Sequence, residues 1–464
     1  MDRIFFLLFA LTFTLIHSSP FGQIEIPTQS YENYLLIKAT SKDGNQGNIP
    51  SFLKELSEEN SNSFELWNEF MNNGSVLAHI SHENSNENFR KIQANGLDVK
   101  VVSSNMSQLI HAQMNPSLVS ESRIEEIGEK ELSAKYQATR KVDQFYKKYH
   151  TLAEINNHVF GLEKKFPEIV TVSSIGYSWR RNDILLVTLS KNPANKVIFF
   201  ECGIHAREWV SPASCLYMIQ DILINEPSLL EKWSFQFVPN ANPDGYHLTW
   251  TVNRMWRKNA RPHIFRDPFR STCFGVDLNR NLDAAFGTIG ASKNPCSDSY
   301  QGPNPFSEPE TRVLRDHIMK MNGGQRSNQE EENQDPNNEG TKATTGQIYI
   351  YFTFHSFSQL WMYPYGYGGK PASNAQQLRS LSKKATDAIR DTYGKEYKFG
   401  DIETVIYPTS GDTIDWIHEK TNIKLAFAVE LRDTGDEGFL LNPKWIEPTA
   451  IEVWNGVKAV LDNV

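Results

Sequence analysis

Three separate runs of apolar and aromatic residues each end on a polar side chain capable of chemistry. Residues 196–202 (KVIFFEC) lead to His205 and Glu208, 348–354 (IYIYFTF) lead to His355, and 424–429 (KLAFAV) lead to Glu430. Runs that are apolar throughout, without alternation, belong to strands covered on both faces. In an open α/β sheet, ligands gather beyond the carboxyl ends of the strands. The chain therefore aims these four side chains at one crevice.

The segments between the runs complete an α/β pattern. Residues 233–239 read as a further strand. Ser211 and Pro212 predict a helix start with Ser211 as cap. Ser307 and Glu310 form a capping-box pattern ahead of a helix reaching Met321. An amphipathic helix is expected over 372–393, closed by Gly394, and a final helix over 448–463. Helices between strongly apolar strands predict a parallel or mixed sheet with helices on both faces. Ahead of this, residues 31–120 are polar and mixed, with strand-like runs at 34–37, 76–80 and 98–102 and a helical stretch at 86–94, which predicts a small α+β module. A polar connector, 121–148, carries Lys135, Arg140, Lys141, Lys147 and Lys148; it reads either as a target for a trypsin-like protease or as a solvated helix. Residues 322–346 are rich in Asn, Gln, Glu and Gly and predict a disordered acidic surface loop.

With 464 residues, two or three folding units are expected. A net charge of -8 supplies no basic field for nucleic acid or an anionic membrane, so neither is expected as a partner. Arg3, an apolar stretch over 4–16, then His17, Ser18, Ser19 and Pro20 read as a secretory signal peptide (1–19) and predict a secreted, extracellular protein. The stretch is shorter than the ~20 residues a spanning helix needs. The four cysteines suggest two disulfides; three connectivities are possible, and we take nearest-neighbour pairing, Cys202 with Cys215 and Cys273 with Cys296.

His205, Glu208 and His355 would supply two imidazole nitrogens and one carboxylate, a set that leaves a coordination position open on zinc. Two histidines favour zinc over magnesium or calcium. Glu430 then stays outside the ligand set, as a base for the attacking water and an acid for the leaving amine. Two further segments, Asn253-Arg-Met-Trp-Arg257-Lys and Val276-Asp-Leu-Asn279-Arg280-Asn, collect guanidinium groups. The planar fork of Arg280, beside Asn279, matches a carboxylate.

His205-Ala-Arg-Glu208, Asn242-Pro-Asp-Gly-Tyr246, Asn253-Arg-Met-Trp-Arg257, Asp277-Leu-Asn279-Arg280-Asn, His355-Ser356, Ile406-Tyr407 and Glu430-Leu-Arg-Asp-Thr-Gly, in this order, closely resemble the pancreatic-type (A/B) zinc carboxypeptidases over essentially the whole chain. The resemblance implies an inhibitory propeptide domain (20–120), an activation linker (121–140) cut near Lys135–Lys141 by a trypsin-like protease, and a monomeric catalytic domain (141–464). That domain would be an eight-stranded mixed sheet sandwiched by helices, holding one zinc ion and acting on the C-termini of peptides and proteins. By resemblance His205, Glu208 and His355 are the ligands, Glu430 the general base and Arg257 the oxyanion donor. Asn279, Arg280 and Tyr407 would clamp the terminal carboxylate, with Tyr407 on a closing loop. Arg207, Ser356 and Phe439 would line the substrate site, and Asp277 would hold the His205 ring. The family also supports both cysteine pairs. Its specificity selector falls at Ile414, beside Gly366, Ile402 and Ala428, which implies aliphatic or aromatic C-terminal residues. Asp412 stands where the family has something small and would, if it reaches the pocket, admit Lys or Arg as in the B type. Phe357 replaces a tyrosine common beside the histidine ligand. A reading from another class is an inactive secreted protein that binds peptide C-termini; the presence of both Glu430 and Arg257 argues against it, because binding alone needs neither.

Overall fold

The computed structural model describes residues 28–42, 47–48, 51–59, 63–67, 70–71, 74–115, 143–263, 273–322 and 346–464. The expected signal segment, the linker 121–140 and the interior of the 322–346 segment lie outside these residues. Asn322 itself is not loop: it caps a helix and bonds both ways with the Ile348 backbone, its amide donating at 3.0 Å and its oxygen accepting at 3.3 Å.

The N-terminal module is α+β, as expected. Strands β1 (Tyr34–Ser41), β2 (Phe64–Leu66), β3 (Ser75–Ser81) and β4 (Leu97–Ser103) form an antiparallel sheet in the order β2-β3-β1-β4. Helices α1 (Ser51–Glu59), α2 (Ser85–Ala94) and α3 (Met106–Met114) accompany it. The apolar patterns of α1 and α3 are short and passed unnoticed in the sequence.

The larger unit is built on eight strands: β5 (Val170–Tyr177), β6 (Asp183–Leu189), β7 (Val197–Cys202), β8 (Ser234–Val238), β9 (Ile348–His355), β10 (Leu360–Tyr363), β11 (Lys398–Asp401) and β12 (Leu425–Glu430). Their order is β11-β10-β12-β9-β7-β8-β6-β5, with β12, β9, β7 and β8 parallel in the centre. Alternate residues of the central strands enter two different cores. Ile198, Phe200, Phe352, Phe354, Phe427 and Val429 pack with helices α5 (Val210–Ile224), α8 (Ala375–Tyr393) and α10 (Ile446–Leu461). Val197, Phe199, Tyr351, Ala426 and Ala428 pack with α7 (Pro309–Met321) and α9 (Thr413–Lys420) on the other face. Burial on both faces is why these runs do not alternate. Each fully buried Phe contributes about 1.5–3 kcal/mol. Helices α4 (Leu152–Lys165) and α6 (Pro243–Thr251) complete the unit.

Two expected helix starts are corrected. Helix α5 begins at Val210, with Ser211 inside its first turn, so Ser211 is not the cap. Glu308, not Ser307, occupies the cap position of α7, and Glu310 turns inward to accept from Trp179 N and Asn259 Nδ2. Both disulfides pair as expected. No helix among the described residues is long and apolar enough to cross a membrane.

Candidate active site

The three polar strand ends meet. His355 and Glu430 are the last residues of β9 and β12 and lie side by side in register. After β7 the chain turns at Gly203, whose φ of +68° an L side chain rarely adopts, and so brings His205 and Glu208 back over the sheet end. Ser211, no longer needed as a cap, fastens the two strand ends together: its hydroxyl donates to Phe354 O (2.5 Å) and accepts from Gly203 N (3.0 Å).

His205 Nδ1 lies 2.8 Å from Glu208 Oε1, and His355 Nδ1 lies 3.1 Å from His205 Nδ1 and 3.2 Å from Glu208 Oε2. The ligand atoms of the three buried residues fall within 4.8 Å of one another, so this group could hold one metal ion. The outer nitrogens are already engaged, His205 Nε2 with Asp277 Oδ1 at 3.2 Å and His355 Nε2 with Thr353 Oγ1 at 3.1 Å. Two inner nitrogens and a carboxylate facing one point fit a dication of the zinc type. Burial opposes ionisation of Glu208, but the two imidazoles beside it hold its carboxyl well below the usual range. Asp277 is likewise held low against its burial, first by Arg257 and then by His205.

Arg257 grips Asp277 Oδ2 with Nε (3.1 Å) and Nη2 (3.0 Å), while Nη1 lies 3.7 Å from Glu208 Oε1, facing the metal-competent group. Arg280 donates to Gly290 O, Asn279 O and Tyr407 Oη at 2.9, 2.9 and 3.0 Å. Asn279 accepts from Thr413 N with Oδ1 (2.9 Å), which leaves its amide NH₂ as the group it can offer a carboxylate. A Cβ on Gly411, at φ +75°, would stand 2.4 Å from Arg280 O, so glycine is required for this approach.

One cleft connects these groups: His205, Glu208, Arg257, Asn279, Arg280, His355, Ser356, Tyr407, Glu430 and Phe439 all line it. Met362, Ile402, Ile414 and Ala428 line it too, with Thr409 and Asp412. Ile414 and Asp412 both line this cleft. Asp412 Oδ1 caps α9 by accepting from Asp415 N (2.9 Å), while Oδ2 is buried and receives no N–H among the described residues. A Cβ on Gly366 would sit 3.1 Å from that oxygen. Burial raises the Asp412 carboxyl, and burial and the charge of Asp412 raise Asp415, so the pair favours sharing a proton.

Arg207 is buried beside the cleft: its guanidinium lies 4.4 Å over the ring of Phe439, a lining residue, and Nη1 reaches Glu65 and Asp298, each at 3.1 Å. Glu65 belongs to the N-terminal module, which also sends Trp67 into the cleft wall. Trp67 packs 5.7 Å from Phe439 and donates to His79 Nδ1. Gln113 donates to Phe439 O and Leu441 O, and Tyr31 donates to Asn253 Oδ1. Glu65, Trp67 and Gln113 carried no signal in the sequence, since contacts between modules leave no local pattern. Thr353 and Glu201 did: a hydroxyl and an acid inside apolar strand runs are out of place there.

Residues 155–456 match the family described as zinc carboxypeptidase. The chain is 37% identical over 322 residues to carboxypeptidase B of Astacus astacus, covering 68% of this chain and 97% of that one. It is 38% identical over 322 residues to carboxypeptidase A2 of Mus musculus, covering 68% and 70%. Among solved structures, thrombin activatable fibrinolysis inhibitor superposes with a TM-score of 0.74 at 26% identity, over 93% of this chain and 99% of that one. Carboxypeptidase A from Helicoverpa armigera does so at 0.71 and 25%, over 94% and 98%.

Proposed function

The chain belongs to the zinc carboxypeptidase family, as an A/B-type hydrolase, and from that premise we propose that it releases single, preferentially aliphatic or aromatic, residues from peptide C-termini and is made as an inhibited precursor for export. The observation that carries the reading is that one cleft is lined at once by two imidazoles and a carboxylate able to hold a metal, by the Arg280–Asn279–Tyr407 cluster, and by the apolar side chains of Met362, Ile402, Ile414 and Ala428.

Zinc, when bound by His205, Glu208 and His355, supplies a Lewis acid that polarises the scissile carbonyl and lowers the pKa of water. Glu430 takes the proton of the attacking water and delivers it to the leaving amine nitrogen. Arg257, braced by Asp277, donates from Nη1 to the oxyanion. Arg280, Asn279 and the hydroxyl of Tyr407 bind the terminal carboxylate, and Ser356 and Phe439 border the substrate. An internal peptide bond has no such carboxylate, which would leave the Arg280 fork unmatched.

The apolar wall offers no partner for a buried lysine or arginine, whose desolvation costs several kcal/mol. Asp412 Oδ2 supports a second reading, release of Lys or Arg as in the B type, since a cationic side chain would satisfy it. The precursor reading is supported by Trp67 in the cleft wall and Glu65 on Arg207, with removal of the module by a trypsin-like protease acting near 135–141 and export through 1–19. Initial rates of the processed protein on matched blocked dipeptides ending in Phe, Leu, Arg and Glu test the choice. Phe and Leu are expected to lead. Faster release of Arg would install the second reading, and equal cleavage of C-terminally amidated peptides would refute exopeptidase action.

A further inference from the structure

Odd-numbered residues of β9 and β7 near the site face one side of the sheet, and this places a polar ladder behind His355. Glu201 and Thr353 are register partners on neighbouring strands, and Tyr351 is two residues before Thr353 on the same face. Glu201 is fully buried, inside a run that is otherwise apolar. An acid is costly there unless its oxygens are matched. Its Oε2 accepts from the Tyr351 hydroxyl and its Oε1 from the Thr353 hydroxyl, the latter at a long 3.4 Å. Burial raises the Glu201 carboxyl, consistent with an acid kept for its hydrogen bonds.

Thr353 has one proton to give. Donated toward Glu201, it leaves the hydroxyl oxygen as an acceptor for His355 Nε2, 3.1 Å away. His355 is then the Nε2–H tautomer, with the lone pair on Nδ1 facing His205 Nδ1 and Glu208. The opposite tautomer would put a proton where the metal belongs. His205 is set in the same sense by Asp277 directly.

We propose that Thr353, backed by the Glu201–Tyr351 pair, is a positioning residue that selects the metal-binding tautomer and the aim of His355. This rests on the reading of His355 as a ligand. Outer partners of ligating histidines typically change metal affinity by about 10- to 100-fold.

The test is zinc affinity of the full-length protein by chelator competition, together with the visible spectrum of the cobalt-substituted form. Thr353→Val keeps the shape and removes the hydroxyl; it is expected to weaken zinc binding about 10- to 100-fold and to shift the cobalt bands. Thr353→Ser should restore both to near wild type. Wild-type affinity and an unshifted spectrum in Thr353→Val would overturn the proposal. Should Thr353→Val fail to melt cooperatively, Thr353→Ala is compared with Thr353→Ser, and equal affinities there overturn it too. His355→Ala separates the two levels: if it binds zinc like wild type, the ligand reading itself is wrong.

Discussion

At the metal-facing side of the cleft, His205, His355, Glu208 and Asp277 are each fixed by named neighbours, whereas Asp412, another lining residue, uses one carboxylate oxygen to start a helix and leaves the other buried without a hydrogen-bond partner among the described residues. The first end is organised before substrate arrives, which is what lets fixed groups stabilise developing charge without reorganising. The second is not saturated by the protein. A buried polar atom without a partner costs about 1–3 kcal/mol, and a substrate able to supply a donor would recover that. The contrast divides the cleft into an end that determines the reaction and an end that determines which residue is released.

The largest effects belong to the first end. Glu430→Gln is expected to keep its zinc while kcat falls by about 10²–10⁴; full activity with metal content unchanged would remove Glu430 from the base role. His355→Ala should instead lose the metal, read by metal analysis after dialysis. Arg280→Met comes next. Losing charged hydrogen bonds worth about 1.5–3 kcal/mol lowers kcat/KM by about ten- to a hundredfold for peptides with a free C-terminus. The same change on C-terminally amidated peptides should be small. A uniform loss on both would mean that Arg280 supports the fold and does not read the carboxylate.

The same contrast governs what could be read in the sequence. The metal end was legible because strands buried on both faces cannot hide a polar residue: His355 and Glu430 stand out at the ends of apolar runs, and the two strands bring them side by side. The Arg280 fork beside Asn279 was legible from residue chemistry, resemblance supplied Arg257, Tyr407 and Ile414, and all five line the cleft. The partners of Arg207 were not legible, because nothing in its local sequence announces Glu65 and Asp298, 142 and 91 positions away. Helix starts at α5 and α7 were misread for a related reason. Ser211 and Glu310 have the composition of caps, but tertiary partners, Phe354 O for one and Asn259 with Trp179 for the other, took those side chains. Local propensity yields to a buried hydrogen bond.

At Asp412 the expected effects are smaller and selective. Asp412→Asn retains a good helix cap, so α9 should start as before, while the charge in the pocket is gone. If Asp412 admits basic residues, release of C-terminal Arg should drop by about tenfold, the loss of roughly one charge-assisted hydrogen bond, with release of Phe unchanged. Equal losses on both substrates would show that the residue matters only as a cap.

The smallest effect is a pH dependence, and its sign follows from burial. Burial moves the Asp412 carboxyl above its ordinary value of 3.8 and raises Asp415 beside it as well, so over a window above that value the pair still keeps a proton in the folded protein. A protonated acid gives a cationic side chain a hydrogen bond but no counter-charge. As pH rises through the raised pKa the charge appears, and selectivity for Arg over Phe should climb a few-fold, about what a partly screened ion pair contributes. The ratio of kcat/KM for the two substrates is the quantity to follow, because ionisations shared by both, including those at the metal end, cancel in it. In Asp412→Asn the ratio should be flat across the same window. A slope that persists in that variant would assign the titration to another group and leave Ile414 as the only selector at this end of the cleft.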